Sequence, residues 1–163
     1  MIYILGIDPG QHGGFCFTSL DGNNRTVYSF NKMTLPEIAQ EIAFQKSAMR
    51  IYGNRLVAYI EEVHSMPKDG KVQAFSFGKN YGMWLGILMA VGIETHEVLP
   101  AVWQSGLKLR VRGLEYKQKK KVLKESAQKL FPDLNLTLDT CDAVLIAEYG
   151  RRCMLYEQHT FSS

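Results

Sequence analysis

Short apolar runs separated by polar, glycine-containing turns open the chain and predict three strands, over residues 2–8, 14–20 and 25–30. The turn sequences DPGQHGG and DGNN between them favour antiparallel neighbours. A fourth run, RLVAYIEEV at 55–63, is dense in apolar residues and predicts a strand that is buried on both faces. A fifth strand is predicted at IETHEV, residues 93–98.

Helical spacing of apolar residues predicts the remaining elements. The segment 35–53 has Pro36 near its start and Gly53 past its end, which are helix boundary signals. Further helices are predicted over 72–92, from Pro100, near 115–130, and over 138–158. Three strands followed by alternating helices and strands predict one α/β domain over residues 1–163, with a mixed sheet flanked by helices.

The helix predicted over 72–92 carries three glycines four residues apart, Gly78, Gly82 and Gly86, on one face. Each glycine costs about 1 kcal/mol of helix propensity relative to alanine. Close packing against another backbone offsets such a cost. The glycines therefore predict a packing surface, within the chain or across a dimer, and not a ligand site.

The composition, 46% hydrophobic and 21% charged, is typical of a globular domain. Cys16, Cys141 and Cys153 form no CxxC pair, which favours free thiols in a reducing compartment over a disulfide framework or a zinc site. No signal-peptide pattern opens the chain, and the longest uncharged apolar stretch, of 13 residues, is too short to span a bilayer. We expect a cytoplasmic protein with no membrane partner.

Positive charge is concentrated in one segment, residues 105–129. The charges of that segment sum to +7. Since the whole chain has a net charge of +3, the rest of the chain carries −4. Its basic residues are Lys108, Arg110, Arg112, Lys117, Lys119, Lys120, Lys121, Lys124 and Lys129. Such an asymmetry predicts a surface that binds a polyanion, although a solvated helix face has the same composition.

Four acidic residues lie where the pattern directs them inward. Asp8 ends the first predicted strand and Glu61 the fourth, with Glu62 beside it on the opposite face. Asp139 and Asp142 are three residues apart at the start of the last predicted helix, and hence on one face. If the two strands are neighbours, all four carboxylates converge at one edge of the sheet. Whether Glu62 assists Glu61 stays open.

Converging carboxylates repel one another unless cations lie between them. Oxygen ligands without nearby His or Cys select Mg²⁺ or Mn²⁺. Two such ions, about 3.5–4 Å apart, activate a water and stabilise the leaving oxygen of a phosphodiester. Singly, each acid also has an ordinary interpretation, as a turn former, a surface acid or an N-cap. Their joint placement favours the metal site.

These motifs resemble those of the RuvC-type Holliday-junction resolvases of the RNase H-like superfamily. The resemblance covers nearly the whole chain in order: ILGIDPG supplies Asp8, AYIEEVHSM supplies Glu61, FGKNYGMWLGILMA matches the following helix, GLEYKQKKKV matches the basic segment, and LDTCDAVLIA supplies Asp139 and Asp142. It implies an RNase H-like fold with a five-stranded mixed sheet, the first three strands antiparallel, and helices on both faces.

The resemblance also implies a function. The protein would bind four-way DNA junctions as a homodimer and cut two strands symmetrically, in recombination, repair or phage DNA processing. Two Mg²⁺ ions per site, replaceable by Mn²⁺, would be bridged by Asp8 and completed by Glu61, Asp139 and Asp142. Lys117 falls where a phosphate-contacting lysine is expected. The other predicted DNA-binding residues are His64, Lys108, Arg110, Arg112, Lys119, Lys120 and Lys121.

Two departures from the family bear on substrate choice. His64 stands where bacterial members often carry a phenylalanine that stacks on bases, so Met66, Phe75 or Phe77 is a candidate replacement, Phe75 and Phe77 being equally good core candidates. The basic segment is also unusually dense. Both features favour loose sequence preference and a phage-encoded member, acting in a bacterial cytoplasm or an infected host cell. The need for branch-migration partners is left open.

Rival functions remain beside this one. A nuclease acting on flaps, forks or RNA–DNA hybrids has the same residues, and a non-catalytic junction-binding protein has the same basic surface. A nucleotide-binding protein of the actin and sugar-kinase type needs a second domain and a second glycine turn. His12 is either a DNA contact or, as we favour, a structural or solvent-facing residue. Trp84 and Trp103 are expected in the core or an interface.

Overall fold

Five strands form one sheet in the computed structural model, which describes residues 1–64, 70–109 and 111–161. They are β1 (Ile2–Asp8), β2 (Gly14–Ser19), β3 (Arg25–Ser29), β4 (Arg55–Glu61) and β5 (Glu94–Val98). The order across the sheet is β3-β2-β1-β4-β5, antiparallel from β3 to β1 and parallel from β1 to β5. This confirms the predicted mixed sheet and places the two acid-bearing strands, β1 and β4, side by side.

Five α-helices cover the sheet, together with a short 3-10 turn at Phe30–Lys32. They are α1 (Leu35–Ile51), α2 (Lys71–Val91), α3 (Pro100–Gly106), α4 (Tyr116–Leu130) and α5 (Cys141–Phe161). The predicted start of the last helix, residue 138, is wrong. Residues 138–140 form a turn in which the Thr140 hydroxyl accepts a hydrogen bond from the Thr137 backbone, so α5 begins only at Cys141.

The core lies in two layers, one on each face of the sheet. Alternate strand residues such as Val57 and Tyr59 pack on α3, α4 and α5, while Ala58 and Ile60 pack on α1 and α2. Every residue of β4 from Leu56 to Ile60 is buried, as its apolar density predicts. Trp84 and Trp103 are 4% and 0% exposed, which confirms the core interpretation of both.

The backbones of β1 and α5 touch at Gly6, in the middle of the sheet. Gly6 lies between Cys16 on β2 and Tyr59 on β4. A Cβ atom at Gly6 would come within 2.3 Å of the Ala147 nitrogen and 2.4 Å of the Ala143 carbonyl oxygen. The absence of a side chain therefore allows α5 to lie directly on β1, and this contact sets how the start of α5 meets the end of β1.

The three glycines of α2 behave differently from Gly6. A Cβ at Gly78, Gly82 or Gly86 would meet nothing within 4 Å in the described part of the chain. Packing within the chain, one of the two interpretations of this glycine row, is therefore wrong for the described residues. Packing across a dimer stays a prediction.

Cys16, Cys141 and Cys153 are free thiols, the first two of them buried. Among the residues that the structure describes, no helix combines the length and the apolar character needed to cross a bilayer.

Candidate active site

Three of the four predicted acids line one cavity, of about 770 Å³, at the carboxyl end of the central strands. Asp8 is the last residue of β1, Glu61 the last of β4, and Asp142 lies in the first turn of α5. Asp8 and Asp142 are only 7% and 5% exposed. Parallel neighbours end at the same edge of a sheet, and the contact at Gly6 brings α5 to that edge.

The three carboxylates act on one another electrostatically. Burial raises the pKa of Asp8 above its ordinary value, and the charge of Asp142 raises this pKa further. Burial, followed by the charges of Asp8 and Asp142, raises the pKa of Glu61 to about 8. A pocket with such raised pKa values binds protons or cations readily, because either relieves the repulsion among its carboxylates.

One lysine of the basic segment, Lys120, enters this cavity from α4. Its Nζ lies 2.5 Å from Oδ2 of Asp142 and 3.7 Å from Oδ2 of Asp8. Burial by itself lowers the pKa of the Lys120 ammonium, but the carboxylates of Asp142 and Asp8 outweigh burial and raise this pKa above its ordinary value. The sequence predicted a DNA contact for Lys120, whereas the structure pairs it with the acids.

Two hydrogen bonds hold the acids that end the strands. The Gly10 backbone N–H donates to Oδ1 of Asp8 at 3.0 Å. The indole Nε1 of Trp103, a fully buried side chain of α3, donates to Oε2 of Glu61 at 2.7 Å. The sequence analysis assigned Trp103 to the core and missed this second role, because no local pattern links an indole on α3 to the end of β4.

Substitution of Trp103 by Phe tests whether this bond orients Glu61. The change keeps an aromatic side chain but removes the donor that favours the charged carboxylate. We expect the activity that depends on Glu61 to fall about 10–100-fold, the usual effect of losing a partner that orients a metal ligand. The acid limb of the pH–rate profile should move to higher pH, because loss of the bond raises the pKa of Glu61 further.

Trp84→Phe is the matched control for this variant. Trp84 is also buried, but it packs against Phe15 and Phe30 in the other core layer. We expect a loss of stability in both variants and a slower, pH-shifted cleavage only in Trp103→Phe. Equal rates and equal pH profiles in the two variants would show that Trp103 only fills space.

Asp139, the fourth predicted acid, contacts a different partner from the other three. Its Oδ2 accepts a hydrogen bond from the Asn31 side chain at 2.7 Å, and it is not among the described residues that line the cavity. The three-residue spacing to Asp142 would place both on one helix face only if both were helical, and Asp139 precedes α5. Asn31 also contacts His12, Nδ1 to Oδ1 at 3.4 Å, and His12 lines the cavity.

The donor set of this cavity fits a hard divalent cation. Its acidic side chains supply oxygen atoms alone, which Mg²⁺ and Mn²⁺ prefer. Burial first, and then the charge of Asp142 on Asp8 and the charges of Asp8 and Asp142 on Glu61, raise both pKa values, so a cation close to these carboxylates stabilises their charged forms. In the described ranges, however, no three His, Cys, Asp or Glu side chains are already grouped as ligands around a common point.

Several of the predicted basic DNA contacts are exposed. Lys119 lines the cavity and is half-buried, while Lys108, Arg112, Lys117 and Lys121 are exposed. Lys121 lies 3.9 Å from Glu125 at the surface. The predicted contact Arg110 lies outside the described residues, as does Met66.

The region after β4 carries the candidates for base stacking. His64 is exposed, and its Nε2 lies 3.1 Å from Oε1 of Glu62. Glu62 therefore contacts His64, on the opposite face of the strand from Glu61. Phe75 is 75% exposed, so the core interpretation of Phe75 is wrong. Phe77 is half-buried and lines the cavity beside the carboxylates.

Comparison with known proteins identifies the fold. No family model and no curated protein matches the sequence. The structure of Thermus thermophilus RuvC in complex with Holliday junction substrate matches with a TM-score of 0.61 and 13% identity, over 95% of this chain and 96% of that chain.

Two further structures match similarly. A second structure of Thermus thermophilus RuvC has a TM-score of 0.58 and 16% identity, over 94% and 96% of the two chains. The yeast mitochondrial Holliday junction resolvase Ydc2 has a TM-score of 0.52 and 17% identity, over 96% of this chain and 80% of that chain. The chain therefore has the RuvC-type resolvase fold, as expected from its motifs, and identities this low establish the fold alone.

Proposed function

We propose that this protein is an endonuclease that binds four-way DNA junctions as a homodimer and cuts two strands symmetrically, with two Mg²⁺ ions per site. One observation carries the proposal: Asp8, Glu61 and Asp142 come from three different elements of a RuvC-type fold and line a single cavity. Such a concentration of buried acids serves no packing purpose, because burying carboxylates together destabilises the fold.

The roles of the side chains follow from their positions. Asp8, at the end of the central strand β1, would hold the ions together with Glu61 and Asp142. Asp139 would join this ligand set by giving up its hydrogen bond with Asn31. The metal supplies an activated water and neutralises charge on the leaving oxygen. Trp103 and Gly10 keep the two strand-end carboxylates oriented, and Lys119 beside them binds the phosphate backbone.

The homodimer is proposed from the open face of α2. Helical spacing places Phe75, Gly78, Gly82, Gly86 and Met89 on that face. Phe75 and Met89 are 75% and 80% exposed. The row of glycines lets a second backbone approach closely, and a two-fold dimer presents two identical sites to a junction of approximate two-fold symmetry. Sedimentation velocity of the free protein tests this: a mass twice that of the 18.5 kDa chain supports the dimer, and a monomer at all concentrations contradicts it.

A salt titration tests the proposed DNA surface. Lys119 lines the cavity, and Lys117 and Lys121 are exposed on the same helix, α4; replacing all three by Ala leaves Lys120 in place. The slope of log K against log salt is negative, and each lost phosphate contact makes it less steep by about 0.9. We therefore expect the magnitude of the slope to decrease by about 2–3 in the triple variant. The measurement is junction binding between low and moderate salt.

Lys129→Ala is the control for this triple variant. Lys129 is on the same helix three turns away and is exposed. Its slope should change by less than about 0.5, because it contacts no phosphate in the proposed complex. An unchanged slope in the triple variant means that the DNA binds elsewhere.

The experiment that tests the function compares substrates directly. A labelled four-way junction, a linear duplex, a flap, a replication fork and an RNA–DNA hybrid are incubated with the protein in Mg²⁺ and in EDTA. Paired symmetric nicks on the junction, absent in EDTA, are the expected result. Preferential cutting of the flap, fork or hybrid would show that the protein is a nuclease of the same fold with a different substrate. Tight junction binding without cutting in Mg²⁺ or Mn²⁺ would show that the protein is a non-catalytic junction-binding protein.

A further inference from the structure

Lys120 is placed unlike the other basic residues of its segment that the structure describes. Its ammonium contacts two of the acids proposed to hold metal, at 2.5 Å from Asp142 and 3.7 Å from Asp8. Its side chain is 20% exposed, against 79% for the neighbouring Lys121. An ammonium at hydrogen-bonding distance from Oδ2 of Asp142 uses the oxygen that a metal ion would coordinate, so the two cations compete for one position.

Packing holds α4 in place, but the ammonium group of Lys120 can move. One turn further along α4, Leu123 is 1% exposed, and Ala127 after it is fully buried against the α5 layer. This packing directs Lys120 toward the cavity. Beyond Cβ, the lysine side chain has a flexible aliphatic stem, so its ammonium leaves the carboxylates by rotation about single bonds, without movement of α4.

We propose that Lys120 is a built-in counter-cation: its ammonium occupies the position between Asp142 and Asp8 in the metal-free protein, and a divalent ion displaces it. This inference rests on the proposed function, because it assumes that the acids bind metal. The displaced ammonium lies at the mouth of the cavity beside Lys119 and binds a phosphate of the DNA there. Lys120 is therefore a positioning residue that links metal binding to DNA binding.

Competition has two measurable consequences. Removing the ammonium favours metal, because the ion no longer has to displace a cation from Asp142. DNA favours metal as well, because its phosphates give the displaced Lys120 a new partner. By linkage, the metal then strengthens DNA binding by the same factor. This coupling keeps the free protein poorly loaded with metal and promotes loading on the substrate.

Calorimetric titration with Mn²⁺, without DNA, is the first test. We expect Lys120→Gln to bind Mn²⁺ about tenfold more tightly than wild type, which corresponds to about 1.4 kcal/mol. Lys119→Gln is the matched control, since it removes the same charge from the same cavity. Unlike Lys120, Lys119 forms no ion pair with Asp8 or Asp142 in the described structure. Lys120→Arg keeps the charge and should bind Mn²⁺ no more tightly than wild type.

Chemical labelling distinguishes displacement from simple charge repulsion. Reductive methylation is slower at a buried, ion-paired lysine than at an exposed one, because only the neutral amine reacts. Cleavage after Glu115 and Glu125 releases residues 116–125 for site assignment by mass spectrometry. We expect Mn²⁺ to raise the labelling rate of Lys120 at least threefold. The rates of Lys117 and Lys121, both exposed, should stay unchanged.

Each outcome decides a different question. Tighter Mn²⁺ binding by Lys120→Gln alone, with faster labelling of Lys120 in Mn²⁺, supports displacement. Equal or weaker binding by Lys120→Gln, or a labelling rate that Mn²⁺ does not change, overturns the inference and leaves the proposed nuclease standing. If wild type and Lys120→Gln both fail to bind Mn²⁺, the metal site itself is wrong, and the inference is overturned with it.

Discussion

We expect Asp8→Asn to slow cutting of a four-way junction by at least about 10³-fold and to change junction affinity by no more than about twofold. The buried Asp8 carboxylate adjoins Asp142 and Lys120 in the cavity, and an amide there carries no charge to hold a cation. Loss of about 4 kcal/mol of transition-state stabilisation corresponds to that rate factor. Binding persists because its energy comes from basic residues around the cavity. Single-turnover cleavage and gel-shift titration measure the two quantities.

Glu62→Gln is the control for Asp8→Asn. It makes the same type of change beside Glu61, but Glu62 contacts His64 instead of the cavity acids. Its cleavage rate should stay within about threefold of wild type. If Asp8→Asn cuts at the wild-type rate, the carboxylate cavity is not the active site. If Glu62→Gln is as slow as Asp8→Asn, Glu62 belongs to the site and assists Glu61.

Gly6→Ala should destabilise the protein by about 3 kcal/mol or more, at the upper end of what overpacking costs. The new methyl group would lie 2.3 Å from the Ala147 nitrogen and 2.7 Å from its Cα, and both are backbone atoms that no side-chain rotation can move. Either α5 or β1 must shift. Urea unfolding followed by circular dichroism measures the loss, and the remaining folded protein should cut poorly because Asp142 moves relative to Asp8.

Gly78→Ala is the control for Gly6→Ala. The same methyl group at Gly78 meets nothing within 4 Å in the described chain, and alanine favours the helix. For the monomer, measured below the concentration at which the proposed dimer forms, we expect the free energy of unfolding of Gly78→Ala to rise by up to about 1 kcal/mol. Similar losses in the two variants would show that the contact of α5 with β1 is not the cause.

Local pattern predicted the elements of this fold well, and the reason is physical. Alternation and apolar density along the strands reflect burial, so β1, β4 and β5 lie within two residues of their predicted bounds. Boundaries set by hydrogen bonds in turns were less predictable. The Thr137–Thr140 turn delays α5 and separates Asp139 from Asp142, and composition does not distinguish such a turn from a first helical turn.

The glycines also show the difference between what a local sequence pattern predicts and what it does not. Gly78, Gly82 and Gly86 form a visible row, yet they touch nothing in the described chain, whereas a single glycine inside a strand carries the tightest approach of α5 to the sheet. A repeated spacing reports which residues share a face of a helix. It does not report what lies opposite that face, because that depends on elements distant in sequence.

By itself, the sequence determined the order of the elements, the burial of β4 on both faces, and the placement of Asp8 and Glu61 at strand ends, because each depends on residues close along the chain. Only the tertiary structure decided which lysine of the basic segment meets Asp142, 22 residues away, and which indole holds Glu61, 42 residues away. These pairings arise from how α3, α4 and α5 pack over β1 and β4. Lysines that are alike in sequence become different only when packing buries one of them among carboxylates.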